Sequence, residues 1–173
     1  MMSKIEIKAF TELDWEIYKS LRLESLGDSP DSFGSTLERE AAFSDDEWKG
    51  RLNTSPVVLH TLPLVAYFEG RAVGLVSGVV HKENPASAHV YQMWVSPESR
   101  GVGIARALLT RIVSWATELK LSSLLLAVTT TNSEAIALYR SVGFVLDGET
   151  EPLRDSSELA VRPMKLNLGG TRK

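Results

Sequence analysis

The chain has 173 residues and no cysteine, and its 22 acidic and 19 basic residues give a formal net charge of −3. One core is expected, because a chain of this length can bury about 70% of the surface that its unfolded form exposes. The missing cysteines exclude a disulfide framework, a thiolate metal site and a cysteine nucleophile. The slight negative charge argues against nucleic-acid binding, which needs a basic face.

No apolar run approaches the roughly 20 residues that span a bilayer, and no basic, apolar leader opens the sequence. We therefore expect a cytoplasmic protein with no membrane partner.

The N-terminal part of the chain predicts one strand and then a helical excursion. Residues 5–9 alternate apolar and charged side chains, which is typical of a strand with one buried face. Thr11 and Asp14 are close to a capping box, and the helix that follows should end at residues 27–30, Gly-Asp-Ser-Pro. Ser44 opens a later helix that carries acidic residues in its first turn.

The middle of the chain predicts an antiparallel meander. The apolar segments are residues 57–59, 64–68, 72–80 and 86–95. Short turns at residues 69–71, which contain glycine, and at 82–85, which contain proline, separate the last three of them. Pro97 stops the last of these strands, because proline cannot continue a hydrogen-bonded ladder. Residues 105–119 then place apolar side chains at helical spacing. The apolar run 124–128 suits a strand that is covered on both faces and runs parallel to the strand before the helix.

The C-terminal part predicts one more helix and the end of the sheet. Asn132 caps the helix, Gly143 ends it, residues 144–146 begin another strand, and residues 158–168 close the sheet. We predict an α+β fold with a mixed, mainly antiparallel sheet of six to seven strands and helices on both faces. A single domain at residues 1–168 and a disordered tail at 169–173 are expected.

Two glycines mark the corner between the predicted strand and the long helix. A glycine inside a helix costs about 1 kcal/mol relative to alanine. Without side chains, however, an anion such as phosphate can approach the unpaired N–H groups and the positive dipole end of a first helical turn. Arg100, Arg106 and Arg111 add positive charge nearby. The plain alternative is that Gly101 and Gly103 only serve a tight turn and close packing. The pattern lacks the Gly-Lys-Ser/Thr ending of a nucleotide P-loop and the third glycine of a dinucleotide fold.

Two segments in the right order resemble the GNAT family of N-acetyltransferases. Arg100-x-x-Gly103-x-Ala105 is similar to the acetyl-CoA pyrophosphate loop of that family, and residues 132–144 are similar to its second conserved segment. The resemblance is clear over residues 64–146. It implies the GNAT (acyl-CoA N-acyltransferase) fold, acetyl-CoA as cosubstrate and no metal. It also implies transfer of the acetyl group to a primary amine by direct attack, without a covalent enzyme intermediate.

The resemblance also implies which residues bind the cosubstrate. In the family, main-chain groups of the strand before the loop hold the pantetheine arm, and this strand splays from the next parallel one to leave unpaired backbone donors. The positions that match the family's cosubstrate site are Met93, Trp94, Val95, Arg100, Gly101, Val102, Gly103, Ile104, Ala105, Arg106, Asn132, Ala135 and Tyr139.

Acetyl transfer needs a neutral amine and a proton for the departing thiolate. An amine with a pKa of about 10.4 is less than one part in a thousand neutral at pH 7, a penalty of about 4–5 kcal/mol. His89 occupies the position where the family often places a base. A period of two puts its side chain on the strand face that also carries Tyr91, Met93 and Val95. Tyr139 matches the family's acid and would donate to a thiolate uphill by only about 2 kcal/mol. A structural histidine and a core tyrosine are the plain alternatives.

The acceptor is left open between an amino acid, a polyamine, an antibiotic and a protein amine, because no motif places an acidic cluster. In the family the N-terminal helical excursion roofs the acceptor site. Buried aromatics are more often core, but those that could line this site are Tyr18, Phe33, Trp48 and Tyr91. The histidines outside the motifs, which we interpret as structural, are His60 and His81.

A monomer or homodimer is expected. Two alternatives stay open: an acyl-CoA-binding sensor that has lost catalysis, and a nucleotide-binding protein.

Overall fold

The structure is a computed structural model that describes residues 4–53, 58–155 and 157–169. The strands in this part of the chain are β1 (Ile5–Ala9), β2 (Val58–Phe68), β3 (Arg71–His81), β4 (Ser87–Val95), β5 (Ser123–Thr129), β6 (Val145–Leu146), β7 (Glu151–Pro152) and β8 (Ala160–Asn167). The helices are α1 (Trp15–Asp28), α2 (Leu37–Ala41), α3 (Asp45–Gly50), α4 (Ile104–Glu118) and α5 (Ser133–Val142).

The strands form one sheet in the order β1-β2-β3-β4-β5-β8-β6, and β7 also pairs with β8. Strands β1 to β4 form the predicted antiparallel meander, and β4 and β5 form the predicted parallel pair across α4. The mixed, mainly antiparallel α+β fold is therefore confirmed. The sheet has eight strands instead of six to seven. The strand predicted to begin at residues 144–146 is β6, whereas β7 was not predicted because its two residues are too few to show a period in the sequence.

The segments predicted at 57–59 and 64–68 belong to one strand, β2. Pro63 interrupts the pattern in the sequence. It is tolerated because β1 ends opposite Leu64, so that β2 is an edge strand at this point. Val57 lies outside the described residues.

The predicted helix starts are present. The Thr11 N–H donates to the Asp14 carboxylate at 2.8 Å, and this capping box opens a 3₁₀ turn that leads into α1. A second capping box pairs Ser44 with Glu47 at the start of α3. Both boxes satisfy N–H groups that a helix start leaves unpaired, so they fix where the first helical turn and α3 begin.

The sheet separates two apolar cores. On one face α4 buries Leu108, Leu109 and Ile112 completely, and burial of each such side chain contributes about 1.5–3 kcal/mol. Gly78 of β3 makes this close packing possible, because a Cβ there would lie 2.6 Å from the indole of Trp115. The opposite face is covered by α1 and the residues after it, in a second core that is rich in aromatic side chains.

Strands β4 and β5 pair at one end only. Their register joins Ser87 to Ser123, Ala88 to Leu124 and His89 to Leu125, and beyond this point each strand continues without the other. The buried hydroxyls of Ser87 and Ser123 lie 2.7 Å apart at the closed end. The two strands therefore diverge toward the start of α4, as the resemblance implies.

A β-bulge interrupts β4 at Gln92, which has a φ of +62°. Leu75 pairs with Trp94 and Ser77 pairs with Tyr91, so β4 has one more residue than β3 between these two pairs. An extra residue shifts the alternation of side chains along the bulged strand.

The bulge overturns one prediction about side-chain direction. Val90, Met93 and Val95 all pack in the core that α4 covers. His89 and Tyr91, which alternate with Val90, therefore point to the opposite face. The prediction that they share a face with Met93 and Val95 is wrong, because a strict period of two does not hold across a bulge.

No helix within the described ranges is long and apolar enough to cross a membrane. Of the tail expected to be disordered, residues 170–173 lie outside the described residues. The single domain at 1–168 stays a prediction.

Candidate active site

A cleft of about 1650 Å³ opens where β4 and β5 diverge. The start of α4 and one side of α5 line one part of it, and the end of α1 with the turn that follows lines the other. Pockets that enclose a drug-sized ligand usually measure about 300–1,000 Å³. The cleft therefore has room for a large ligand and a smaller one beside it.

The glycine corner at the start of α4 is open. Gly101 and Gly103 have φ values of +84° and +95°, in the left-handed region that a side chain would strain. A Cβ built at either position would meet no atom within 4 Å. This empty space argues against the alternative that the two glycines permit close packing.

The first turn of α4 has no capping partner of its own. Gly103 is the N-cap, no side chain in the described part of the chain caps the turn, and no acidic residue lies in it. The N–H of Ala107 makes the first helical bond, to the Gly103 carbonyl at 3.0 Å. The preceding N–H groups and the positive end of the helix dipole thus face the cleft. By contrast, α5 is capped by Asn132, whose side chain accepts from the Ala135 N–H at 3.2 Å.

Arg100 and Arg106 line the cleft, and both are partly engaged within the protein. The Arg100 Nε donates to the Val95 carbonyl at 2.8 Å, and its Nη2 donates to the Asp28 carboxylate at 2.8 Å. Arg106 donates to the Ser141 hydroxyl and so joins α4 to α5. Their remaining N–H groups are available to a ligand. Arg111, which we expected to add charge nearby, does not line the cleft.

Asp28, at the end of α1, was not indicated by any motif. Its Oδ2 accepts from the Trp94 indole at 3.0 Å and from the Ser29 hydroxyl at 2.7 Å, in addition to Arg100. The hydrogen bonds from Ser29 and Trp94, and then that from Arg100, hold the pKa of the Asp28 carboxyl below its usual range although partial burial opposes them. Asp28 therefore ties the first helix to the glycine corner.

The position of Tyr139 is fixed by the end of α5. Gly143 ends the helix with a φ of +119°, and the Phe144 N–H folds back to the Tyr139 carbonyl at 3.0 Å. Tyr139 is only 7% exposed yet lines the cleft. Burial raises the pKa of Tyr139 to about 12. A proton transfer to a thiolate would thus be uphill by about 5 kcal/mol in the free protein, more than the 2 kcal/mol expected from the ordinary pKa.

His89 belongs to a cluster of three aromatic side chains. Its ring stacks on Tyr91 at 5.8 Å and meets His81 edge-on at 5.3 Å, while His81 Nε2 lies 3.0 Å from the Tyr91 hydroxyl. The Nδ1 atom of His89 is buried and has no partner among the described residues. Burial lowers the pKa of His89, the charge of His81 lowers it further, and Glu83 opposes both. His89 is therefore held as a neutral imidazole near neutrality.

His81 was interpreted as structural, and the sequence gives no sign of its contact with His89. The two residues lie on neighbouring strands, where Val79 pairs with His89. His81 does not line the cleft, whereas His89 and Tyr91 do.

The aromatic residues that we expected near the acceptor are divided by the structure. Phe33 and Tyr18 line the cleft, and the Tyr18 hydroxyl donates to the Gln92 side chain at 3.0 Å in the bulge. Trp48 is fully buried and does not line the cleft. It packs edge-on against Tyr18 at 5.7 Å and is a core residue.

A cluster of three charged side chains, two of which line the same cleft, was missed. Glu40 accepts from Arg22 Nε at 2.9 Å, from Arg22 Nη2 at 3.0 Å and from Arg51 Nη1 at 2.8 Å. Burial alone would raise the pKa of Glu40, but the hydrogen bonds from the two arginines outweigh it and lower the pKa to about 2. Arg22 and Arg51 line the cleft. Their distance from each other in the sequence leaves no local pattern to detect.

Every residue predicted to bind the cosubstrate lines this one cleft except Val102, which is 47% exposed at the outside of the corner. Within the described ranges, no group of three or more His, Cys, Asp or Glu side chains is placed to hold a metal ion.

The mixed sheet with a splayed parallel pair and a helix that starts at the open corner is the acyl-CoA N-acyltransferase fold. Residues 10–144 match the acetyltransferase (GNAT) family, and the chain belongs to this family.

Two solved structures support the fold over nearly the whole chain. A putative acetyltransferase from Salmonella typhimurium, solved with its cofactor acetyl-CoA, has a TM-score of 0.80 at 17% identity and covers 99% of this chain and 98% of its own. Spermidine N-acetyltransferase from Vibrio cholerae, in complex with CoA and spermine, has a TM-score of 0.75 at 22% identity and covers 94% of this chain and 95% of its own. Likeness at these identities establishes the fold.

A curated relative matches a shorter segment. L-2,4-diaminobutyric acid acetyltransferase from Nocardia farcinica is 33% identical over 79 residues, which are 46% of this chain and 41% of that protein. The chain spans less than half the length of the curated relatives that it matches.

Proposed function

We propose that this protein transfers the acetyl group of acetyl-CoA to a primary amine by direct attack of the amine nitrogen on the thioester carbonyl. The observation that carries the proposal is the open, uncapped start of α4, which lies in one cleft with the phenol of Tyr139. The relatives named for diaminobutyric acid and spermidine support an amine acceptor.

The diphosphate of acetyl-CoA would lie against the main chain of Gly101, Gly103 and the first turn of α4. The N–H groups there have no capping side chain among the residues that the structure describes, and the helix dipole favours an anion. Arg100 and Arg106 would add charge-assisted hydrogen bonds. The pantetheine arm would follow β4 past its bulge, where the strand has no partner on its β5 side. The thioester would then lie near Tyr139.

His89 would remove the proton from the acceptor ammonium, through water. Its lowered pKa keeps it unprotonated at pH 7, so that it can accept a proton. The neutral amine then attacks the thioester carbonyl and forms a C–N bond, and its nitrogen gives its second proton to water. The C–S bond breaks, and its electron pair leaves with sulfur. Tyr139 would give its proton to the thiolate and recover one from solvent. Its high pKa keeps the phenol protonated until sulfur carries negative charge.

One specific observation favours a second function, an acyl-CoA-binding sensor without catalysis. The pKa of Tyr139, raised to about 12 by burial, makes the phenol a weaker acid than an ordinary tyrosine. Acetyl-CoA mixed with a panel of amines separates the two functions. Release of free thiol that depends on the amine supports the enzyme, whereas tight CoA binding without thiol release across the panel supports the sensor.

A further inference from the structure

The roof of the cleft holds an excess of positive charge. Arg22 and Arg51, here termed the arginine pair, share one carboxylate, that of Glu40. Arg22 is 4% exposed and Glu40 is 2% exposed. Because the guanidinium groups are always charged and Glu40 is ionised at neutral pH, the three side chains together keep one positive charge.

One donor of the arginine pair has no acceptor. Arg22 Nη1 is buried and lacks a hydrogen-bond partner among the described residues. The ring of Phe33 lies 4.8 Å from the Arg22 guanidinium carbon and stabilises the cation, but it offers no oxygen. A buried charged donor without an acceptor destabilises a protein, so a purely structural ion pair would leave this atom unexplained.

The arginine pair lies on the acceptor side of the cleft. The Arg51 guanidinium is 5.9 Å from the ring centre of Tyr18, and the hydroxyl of Tyr18 reaches Gln92 at the β4 bulge. Tyr18 thus lies between the guanidinium of Arg51 and the β4 bulge at Gln92. The glycine corner with Arg100 and Arg106 lines the same cleft, and none of the contacts of the arginine pair given above involves it.

We infer that the arginine pair binds a carboxylate group of the acceptor, which is therefore an amine of the amino-acid class. This inference rests on the proposed acetyl transfer. A carboxylate is planar and carries one negative charge, which matches both the guanidinium fork and the single excess charge. A phosphate would carry nearly twice that charge. A polyamine has no group to pair with the arginines and would be repelled by them.

Acidic residues in the cleft do not reverse this preference. Asp28 is engaged by Arg100 and Trp94. The other acidic residues that line the cleft are Asp31, Glu134, Asp147 and Glu151, and all four are exposed, so that water and salt screen their charges. These side chains can lie near the ammonium group of an acceptor, while the buried arginine pair binds its carboxylate.

The test compares amines that differ only by a carboxylate. Purified protein is supplied with acetyl-CoA and with three matched pairs, and the release of free thiol is measured for each amine. The pairs are lysine and 1,5-diaminopentane, 2,4-diaminobutyrate and 1,3-diaminopropane, and phenylalanine and 2-phenylethylamine. We expect the carboxylated amine with the highest kcat/KM to exceed its decarboxylated partner at least tenfold in kcat/KM. This comparison uses the unmodified protein and needs no variant to fold.

Variants then locate the effect. Arg51→Gln should raise KM for the carboxylated amine about tenfold and remove most of the preference, and Arg51→Lys, which keeps the charge without the fork, should restore part of it. Lys49→Gln removes a charge from α3, the helix that Arg51 directly follows, but lies outside the cleft, and it should behave like the parent protein. The KM for acetyl-CoA should not change in any of the three.

The outcomes separate this inference from the proposed function. If decarboxylated amines are acetylated as well as or better than their partners, or if Arg51→Gln keeps the full preference, the carboxylate site is wrong and acetyl transfer still stands. If no amine is acetylated although acetyl-CoA binds, both are wrong.

Discussion

The guanidinium of Arg100 lies 2.8 Å from the carboxylate of Asp28, across 72 positions of the sequence. This contact joins the end of α1 to the residue that opens the glycine corner. The side chains are partly exposed, and exposed ion pairs stabilise a fold by at most about 1 kcal/mol. Its main effect is therefore to hold Arg100 over the corner.

Asp28→Asn should raise KM for acetyl-CoA several-fold and lower the free energy of unfolding by no more than about 1 kcal/mol. The amide keeps the shape but loses the charge that orients Arg100. Steady-state kinetics and urea unfolding measure the two effects. Glu24→Gln on the same helix is the control, because Glu24 is exposed and outside the cleft. Equal KM values in the two variants would show that Asp28 does not position Arg100.

Tyr139→Phe should lower kcat about 10- to 100-fold and leave CoA affinity nearly unchanged. Loss of a general acid typically costs a factor of this order or more, and the phenyl ring keeps the contact with Phe144. Turnover is followed by thiol release and affinity by calorimetry. Unchanged turnover would remove the acid role and leave a core tyrosine.

His89→Gln should flatten the acidic limb of the kcat/KM profile. The neutral imidazole is the active form, so activity in the parent falls as pH drops through the pKa of His89. Because burial and His81 lower that pKa, the fall should lie below the ordinary value of about 6.5. His60→Gln, at an exposed position outside the cleft, is the control. An unaltered limb in His89→Gln would assign the base elsewhere.

Glu40→Gln should destabilise the protein at pH 7 and make its stability less sensitive to acid. The folded pKa of about 2 lies below the ordinary value of 4.5. The ionised form therefore contributes up to about 3 kcal/mol above pH 4.5, and this contribution is lost as pH falls toward 2. Glu38→Gln, exposed on the same helix, is the control. Equal acid sensitivity in the parent and in Glu40→Gln, measured by urea unfolding, would contradict the buried charge cluster.

The sequence predicted most of the fold, because α4 and β5 have local apolar patterns and because Asn132 and Gly143 are strong helix boundaries. The splay and the role of the glycine corner came from the resemblance, and the geometry of the corner agrees with it. The bulge at Gln92 was not predictable, since no glycine marks this left-handed position.

The charged part of the cleft was beyond prediction for a different reason. Arg22, Glu40 and Arg51 lie on or beside three different helices, and only the packing of these helices brings them together. Likewise, the contact between His81 and His89 depends on the register of two strands. Such contacts set pKa values and charge but leave no periodic pattern in the chain.

The most direct test of the cosubstrate site is the affinity for CoA relative to pantetheine, which lacks the diphosphate and the nucleoside. Titration calorimetry of the parent and of Gly103→Val gives this ratio. Gly70→Val is the matched control, since Gly70 has a similar φ of +86° and open space but lies outside the cleft. We predict that CoA binds the parent and Gly70→Val at least 100-fold more tightly than pantetheine, and that Gly103→Val loses most of this difference. An undiminished ratio in folded Gly103→Val would contradict binding of the diphosphate by the main chain at the start of α4.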